Sequence, residues 1–465
     1  MITLSHYLST GITLFVVSYL GYSVSKKIKT SQDFSVGGRK LKAKQVAGSI
    51  IATIIGGAST IGTAQLAFEK GLSAMWFTLG ASIACLFLGK FMAGPLRRAE
   101  VETVSQLLAQ NYGMYAGISA SIITSFAIFI HITGQVLAST AIITSVFPIN
   151  MIHAVMITIL LILSYIFFGG FLGTSIVGIV KSVLLYFTLM ISASIAYHHV
   201  NGIQGLSTTF SKDPWFNLFS DGIYSSIALG FSMVVGIVST QTYLQAMFAG
   251  ENEQESRKGA YIAALLIPPV GLICTLIGLH MRAVHPELIP KEALPYFIVH
   301  YLNPWIGGMT IATLIISVIG TGAGLTLGIS TMLNRDIYVK CINPSADDKT
   351  QLKVLRIFVC IVVSLSVIMV FMNTDSLILK WGFLSMALRG TTIFVPLLGA
   401  IYYKDKIHPK AGCVAIIGAP IISVIWKIVG VSKINELYIG LLSSLFLLIV
   451  GSIVFKGKKN KEIQG

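Results

Sequence analysis

Charged side chains are scarce in this 465-residue chain: Asp, Glu, Lys and Arg make up 11% of it, against 54% for hydrophobic residues. Soluble domains carry about 25% charged residues, so this chain has too little charge to cover a water-soluble surface. Its apolar stretches recur from end to end and have the length of roughly 18–25 residues that a membrane-spanning helix needs. We therefore expect an all-α membrane protein.

Cysteines and catalytic patterns are equally sparse. The five cysteines stand singly, at Cys85, Cys274, Cys341, Cys360 and Cys413, a spacing that predicts neither a disulfide framework nor a metal cluster. The sequence shows no paired carboxylates and no nucleophile–base spacing. We therefore do not expect an enzyme, and we expect no cofactor other than a coupling ion.

The apolar stretches predict about 13 transmembrane helices in a single polytopic domain over residues 1–456, followed by a basic cytoplasmic tail at 457–465. The predicted spans lie near residues 8–25, 45–67, 72–95, 117–147, 152–169, 173–198, 222–248, 259–281, 305–331, 354–372, 376–402, 411–429 and 434–456. The first is interpreted as an uncleaved helix rather than a secretory signal, because the basic cluster Lys26–Lys29 follows the apolar run.

The formal net charge of +15 reflects topology rather than a nucleic-acid partner. With the N-terminus outside, most of the 33 Lys and Arg residues fall in segments that face the cytoplasm. The opposite segments hold only Lys70, Lys212, Arg282, Lys291 and Lys433. This asymmetry predicts a multi-pass protein of the cell membrane with its C-terminus inside. Its expected partners are a small solute and membrane lipid, with no obligate protein partner.

Two spans are interrupted by small and hydroxyl residues, at Gly56-Gly57-Ala58-Ser59-Thr60 and from Gly236 to Thr240. Each interruption lies in the first helix of a group of five, which predicts a 5+5 inverted repeat with core repeats at about 45–198 and 222–402. Broken helices in corresponding positions mark a binding site near the membrane midplane. This pattern is typical of a secondary transporter that works by alternating access; a sensor that binds solute without transporting it is the alternative.

The interruptions also supply candidate solute ligands. Unwinding at Gly57, Ser59 and Thr60 would free backbone groups for a polar solute or a cation, although small residues serve close helix packing equally well. Lys181, Arg389 and His131 lie in mid-span, where no acidic residue balances them. An anionic solute such as a carboxylate would supply the missing charge, with Arg389 as its partner, although Arg389 can equally pair with carbonyls at a helix end. Other candidate solute contacts are the polar side chains of Gln135 and Gln241.

Four segments in the right order resemble the sodium:solute symporter family. They are Asp33-Phe34-Ser35-Val36-Gly37-Gly38-Arg39, then Ala52–Gly62 with Phe68-Glu69-Lys70-Gly71-Leu72, then Thr240-Gln241-Thr242-Tyr243-Leu244-Gln245-Ala246, and Arg335-Asp336-Ile337-Tyr338. Ala246 stands where the family usually has Arg. The resemblance implies the leucine-transporter-type fold and cation-coupled uptake of a small solute.

The resemblance also implies a sodium site, formed by the carbonyls of Ala52, Ile55 and Ser317 and the hydroxyl of Thr321. A second expected hydroxyl falls on Gly320, which has none. In the sixth span, Gly178 and Lys181 stand where the family usually has an acidic residue and then a Gln.

Lys181 can replace the sodium ion, because an ammonium group seeks the same oxygen atoms. A lysine, unlike an arginine, can also lose its proton inside a protein. Sodium coupling, proton coupling and sodium-independent transport therefore all stay open, as does a Lys181 side chain that extends to the membrane surface.

Overall fold

The computed structural model describes residues 2–25, 30–372, 378–404, 406–430 and 435–464. This part of the chain is helical, apart from one isolated bridge between Leu41 and Gly250. The α-helices are α1 (Leu4–Ser25), α2 (Ser31–Val36), α3 (Ala43–Ile54), α4 (Thr63–Lys70), α5 (Trp76–Phe87), α6 (Ala93–Arg98), α7 (Val104–Tyr112), α8 (Met114–Val146), α9 (Met151–His199), α10 (Gly202–Thr209), α11 (Ile223–Val238), α12 (Gln241–Ala249), α13 (Glu253–Val284), α14 (Ala293–Tyr301), α15 (Pro304–Met332), α16 (Asp348–Phe371), α17 (Ile378–Tyr402), α18 (Pro409–Val429) and α19 (Glu436–Gln464). Short π-helical segments cover Ala58–Gly62, Leu88–Met92 and Leu333–Ile342, and 3₁₀ turns cover Gly37–Arg39, Gly71–Met75 and Pro290–Glu292.

The helix lengths agree with a protein that crosses the membrane many times. Within the described ranges, nine helices are long and apolar enough to span a bilayer, and the bent pair α11 and α12 makes a tenth. Leu4–Leu20 and Met151–Ile166 are shorter apolar helical segments. One of the nine, Ala58–Arg98, contains Gly71 at φ +70° and thus turns within its length. The predicted count of 13 is compatible with this architecture.

Helix α9 is recorded as one continuous helix of 49 residues, whereas the sequence predicts two spans at 152–169 and 173–198. The side chains of Tyr165 and Lys181 nevertheless meet at one point, since a Cβ atom at Gly320 would lie 3.4 Å from Tyr165 Oη and 3.5 Å from Lys181 Nζ. A straight helix would separate their Cα atoms by ~24 Å, which two side chains cannot bridge. Helix α9 therefore bends sharply between these residues.

Both predicted interruptions are confirmed. Helix α3 ends at Ile54, and Ile55 adopts an extended conformation before the π-helical segment begins. Helices α11 and α12 meet at an angle of 54°. The first break requires glycine because its neighbours approach closely: a Cβ atom at Gly56 would lie 2.3 Å from Thr321 Oγ1, and one at Gly57 would lie 2.2 Å from the Ala138 Cβ.

The connecting segments are more ordered than the sequence indicates. The connection between the predicted spans 173–198 and 222–248 contains α10, and the one between 259–281 and 305–331 contains α14. The basic tail continues α19 as far as Gln464. Lys26–Lys29, Lys433 and the first residues of the predicted spans 376–402 and 434–456 lie outside the described residues.

Candidate cation and solute site

Lys181 lies fully buried at the centre of the predicted cation site. Its Nζ donates to the carbonyl oxygen atoms of Ala52 at 2.6 Å, Ile55 at 2.8 Å and Ser317 at 3.1 Å. An ammonium group carries three hydrogens, so these contacts use all of its donors. The side chain does not extend to the membrane surface.

The break after α3 exposes these carbonyls to Lys181. Because Ile55 is extended, the carbonyls of Ala52 and Ile55 are available to groups outside their own helix. The Ser317 hydroxyl donates to the Ile55 carbonyl at 2.7 Å, and the Thr321 hydroxyl donates to the Ala52 carbonyl at 3.1 Å. The structure thus brings all five predicted cation-site residues together, in a cluster made by α3, α9 and α15.

Gly178 positions Lys181 by allowing close contact between α9 and α3. A Cβ atom at Gly178 would lie only 2.4 Å from the Gly48 carbonyl oxygen and 2.7 Å from the Ala52 Cβ. An acidic side chain, usual in the family at this position, would not fit here. The same contact that excludes it places the next turn of α9, with Lys181, over the broken end of α3.

Gly320 leaves an opening in the cluster where the family's second hydroxyl is expected. A Cβ atom there would be in ordinary contact with Tyr165 and Lys181, at 3.4 Å and 3.5 Å. The buried Tyr165 hydroxyl that borders this opening has no hydrogen-bond partner among the described residues. The sequence did not indicate Tyr165, because its place in the site depends on the sharp bend in α9.

The candidate solute ligands of the first break hold that break together. The Gly57 N–H donates to Gln135 Oε1 at 3.0 Å, which ties α8 to the break. The hydroxyls of Ser59 and Thr60 both donate to the Gly56 carbonyl, at 3.1 Å and 2.8 Å. These residues border the predicted midplane site, and their contact with a solute stays a prediction.

Gln241 lies in the second break but is engaged away from the cation cluster. Its Oε1 accepts from the Val104 N–H at 2.9 Å, and its Nε2 donates to the Glu102 carbonyl at 2.8 Å. Both ends of the amide are thus used to join α12 to the segment before α7.

Arg389 is the largest fully buried side chain among the described residues. It lies on α17 one turn beyond Ser385, whose hydroxyl donates to the Ala127 carbonyl of α8. None of its three guanidinium nitrogens has a hydrogen-bond partner in the described part of the chain. His131, also buried, lies near Gly382 on the same α8–α17 boundary, and its Nδ1 is likewise unpartnered. Arg389 is therefore a buried cation outside the Lys181 cluster.

Comparison with known proteins identifies the fold. The structure is similar to that of a Na⁺-coupled sialic acid symporter, with a TM-score of 0.81 and 19% identity over 97% of each chain. It is also similar to a nucleobase-cation-symport-1 family transporter bound to bromovinylhydantoin, with a TM-score of 0.63 and 12% identity over 92% of this chain and 95% of the other. MhsT in complex with L-phenylalanine gives a TM-score of 0.51 and 12% identity, over 86% of this chain and 98% of that one.

The fold is thus the leucine-transporter-type fold of membrane-spanning helices, built as a 5+5 inverted repeat. The model of the sodium:solute symporter family matches residues 34–418. The chain therefore belongs to the sodium:solute symporter family. It is a transport protein rather than an enzyme, of a class that couples movement of a solute to a cation.

Proposed function

We propose that this protein transports a small solute by alternating access, with the ammonium group of Lys181 in the place of a bound sodium ion. The observation that carries the proposal is the contact of Lys181 Nζ with the carbonyls of Ala52, Ile55 and Ser317. These are the backbone oxygens that the family resemblance assigns to sodium. A sodium ion and this ammonium group cannot occupy the same point, so transport is expected not to require sodium.

A proton is the alternative coupling cation. It would preserve the cation coupling of the family without a separate ion site, because lysine can release and regain a proton inside a protein. Uptake driven by an imposed pH gradient in the absence of sodium would distinguish proton coupling from sodium coupling.

We infer further that the solute is an anion such as a carboxylate. Three basic side chains are buried in the membrane-spanning region, namely Arg389, Lys181 and His131. The guanidinium group of Arg389 has no acceptor among the described residues. A buried guanidinium without a partner carries a large desolvation cost, and an anionic group of the solute would offset it. The charge asymmetry of the connecting segments supports an outside N-terminus and an inside C-terminus in the cell membrane.

Uptake by purified protein in proteoliposomes tests the proposal. We expect accumulation of a carboxylate solute to be unchanged when sodium is replaced by choline. Lys181→Gln should lose at least about 90% of the uptake rate, because a neutral amide cannot supply the charge that the carbonyl cluster binds. Lys90→Gln is the matched control, since Lys90 is exposed on its span and remote from the cluster. Sodium-dependent uptake by the unaltered protein would contradict the proposal.

A second variant tests whether the site can be converted into a sodium site. Lys181→Ala combined with Gly320→Ser removes the tethered charge and restores the missing hydroxyl, for which the opening at Gly320 has room. We expect this double variant to regain uptake only when sodium is present. A sensor, in contrast, would bind solute in either form without accumulating it.

A further inference from the structure

A cavity of about 650 Å³ lies between the end of α17 and the middle of α19. Its walls are mainly apolar and include Leu448, Ile449 and Ile453 of α19, while Lys406 and Lys456 lie at its border. Ile449 and Ile453 are 53% and 68% exposed, so the described residues leave this face of α19 largely uncovered. The cavity therefore combines an uncovered apolar wall with two cationic side chains.

We propose that this cavity binds an anionic phospholipid. The headgroup phosphate lies between Lys406 and Lys456, and an acyl chain follows the apolar face of α19. The proposal takes only the membrane orientation from the proposed function, and it does not depend on the coupling ion or on the solute.

The two lysines favour an anionic headgroup. Both are exposed, and neither forms an ion pair with a described residue. Lys406 Nζ lies 5.7 Å from the centre of the Tyr403 ring, near the membrane end of α17. Basic pockets between helices at the cytoplasmic side of membrane proteins attract anionic headgroups. A zwitterionic headgroup brings its own cation and would gain less from this pair.

The apolar wall favours a lipid over free phosphate. A phosphate ion would leave the side chains of Ile449 and Ile453 without a partner, whereas an acyl chain of a bound lipid would cover them. The apolar wall and the two lysines, Lys406 and Lys456, lie at the same cavity, and a phospholipid is the ligand that contacts both.

Native mass spectrometry of the purified protein, titrated with phosphatidylglycerol or phosphatidylcholine, tests the proposal. We expect phosphatidylglycerol to bind at least about tenfold more tightly than phosphatidylcholine, and Lys406→Gln with Lys456→Gln to abolish this difference. Lys404→Gln with Lys410→Gln removes the same charge from the same region without altering the cavity border, and it should leave the preference intact. If both double variants lose the preference for phosphatidylglycerol equally, the proposed site is wrong.

A second pair of variants separates the lipid from free phosphate. Ile449→Trp with Ile453→Trp fills the apolar wall but keeps both lysines, so it should weaken phosphatidylglycerol binding at least about fivefold. Val450→Trp lies on the same helix but outside the cavity lining, and it should have no effect. If the filled variant keeps its lipid and inorganic phosphate displaces that lipid, the acyl-chain part of the proposal is wrong.

Discussion

Lys181 and Arg389, the fully buried lysine and arginine among the described residues, differ in their surroundings. Lys181 donates to three carbonyls and has no unused donor, whereas all three guanidinium nitrogens of Arg389 lack a partner in the described chain. The first arrangement is complete without any ligand. The second lacks an acceptor, which an anionic solute would supply under the proposed function.

Replacement of Arg389 by Gln tests this difference. We expect the variant to fold and to be at least as stable as the original protein without solute, because a costly buried charge is removed. A bound carboxylate at 100 times its Kd should stabilise the original protein by about 2.7 kcal/mol, and it should not stabilise the variant. Thermal unfolding with a carboxylate panel measures both effects.

Arg282→Gln is the control for that measurement, because Arg282 lies near the rings of Phe68 and Trp215 rather than in the interior. If the solute still raises the unfolding temperature of the Arg389→Gln variant, Arg389 is not part of the binding site.

The sequence was sufficient to select five residues that lie together in the structure, and their role as a cation site stays a prediction. Ala52, Ile55, Ser317, Thr321 and Lys181 could be located because each matches a position in a motif. The place of Tyr165 and the hydrogen bond from the Gly57 N–H to Gln135 could not be predicted, since neither follows from the local sequence pattern. Both depend on which helices meet, and hydropathy carries no information about that.

At the scale of elements, the close contact of α9 with α3 determines where Lys181 lies. Gly178 and Gly48 permit it: a Cβ atom at Gly48 would lie 2.7 Å from the Ser175 carbonyl oxygen. The sequence predicts two spans here, 152–169 and 173–198, whereas the helical hydrogen bonding of α9 runs through both. Apolar length predicts a span, but it does not show whether a sharp turn interrupts the helix.

Gly178→Ala should separate these two helices. The added methyl group would collide with the Gly48 carbonyl, and overpacking of this kind costs about 1–3 kcal/mol. We expect a lower unfolding temperature together with reduced uptake, because Lys181 is displaced from the carbonyls. Gly173→Ala is a matched control on the same helix, since a Cβ atom there meets nothing within 4 Å. Equal behaviour of the two variants would show that the glycine contact does not position Lys181.

At the scale of the whole molecule, a polar network joins distant parts of the chain at one end of the helix bundle. Arg335 pairs with Glu102 at 3.0 Å and also donates to Ser31 Oγ at 3.1 Å. Thr103 donates to the buried Asp336 at 2.9 Å. The motifs predicted that these segments matter, but the partners Glu102 and Thr103 are hundreds of residues away from Arg335 and Asp336 and became visible only in the fold. The contacts tie the segment before α7 to the π-helical segment Leu333–Ile342.

Glu102→Gln should favour a conformation that is open at this end. Both side chains of the pair are largely buried, at 15% and 12% exposure, so its loss is expected to cost about 1–3 kcal/mol. A cysteine introduced by Ser105→Cys in a Cys341→Ser background should then react with a maleimide at least about fivefold faster. Arg98→Gln breaks an exposed pair with Glu253 and should leave the rate unchanged. An unchanged rate in Glu102→Gln would show that the network does not hold this end closed.

The covalent attachment of Lys181 also changes the electrical consequence of each transport cycle. A sodium ion delivers its charge to the far side of the membrane, but a lysine returns with the protein. Under the proposed function, a monoanion that enters alone moves one negative charge inwards. When the inside of the membrane is negative, this movement costs ~2.3 kcal/mol for each 100 mV of membrane potential. A proton that travels with it cancels that charge. The tether therefore makes membrane voltage and pH, rather than external sodium, the quantities that limit how far the solute accumulates.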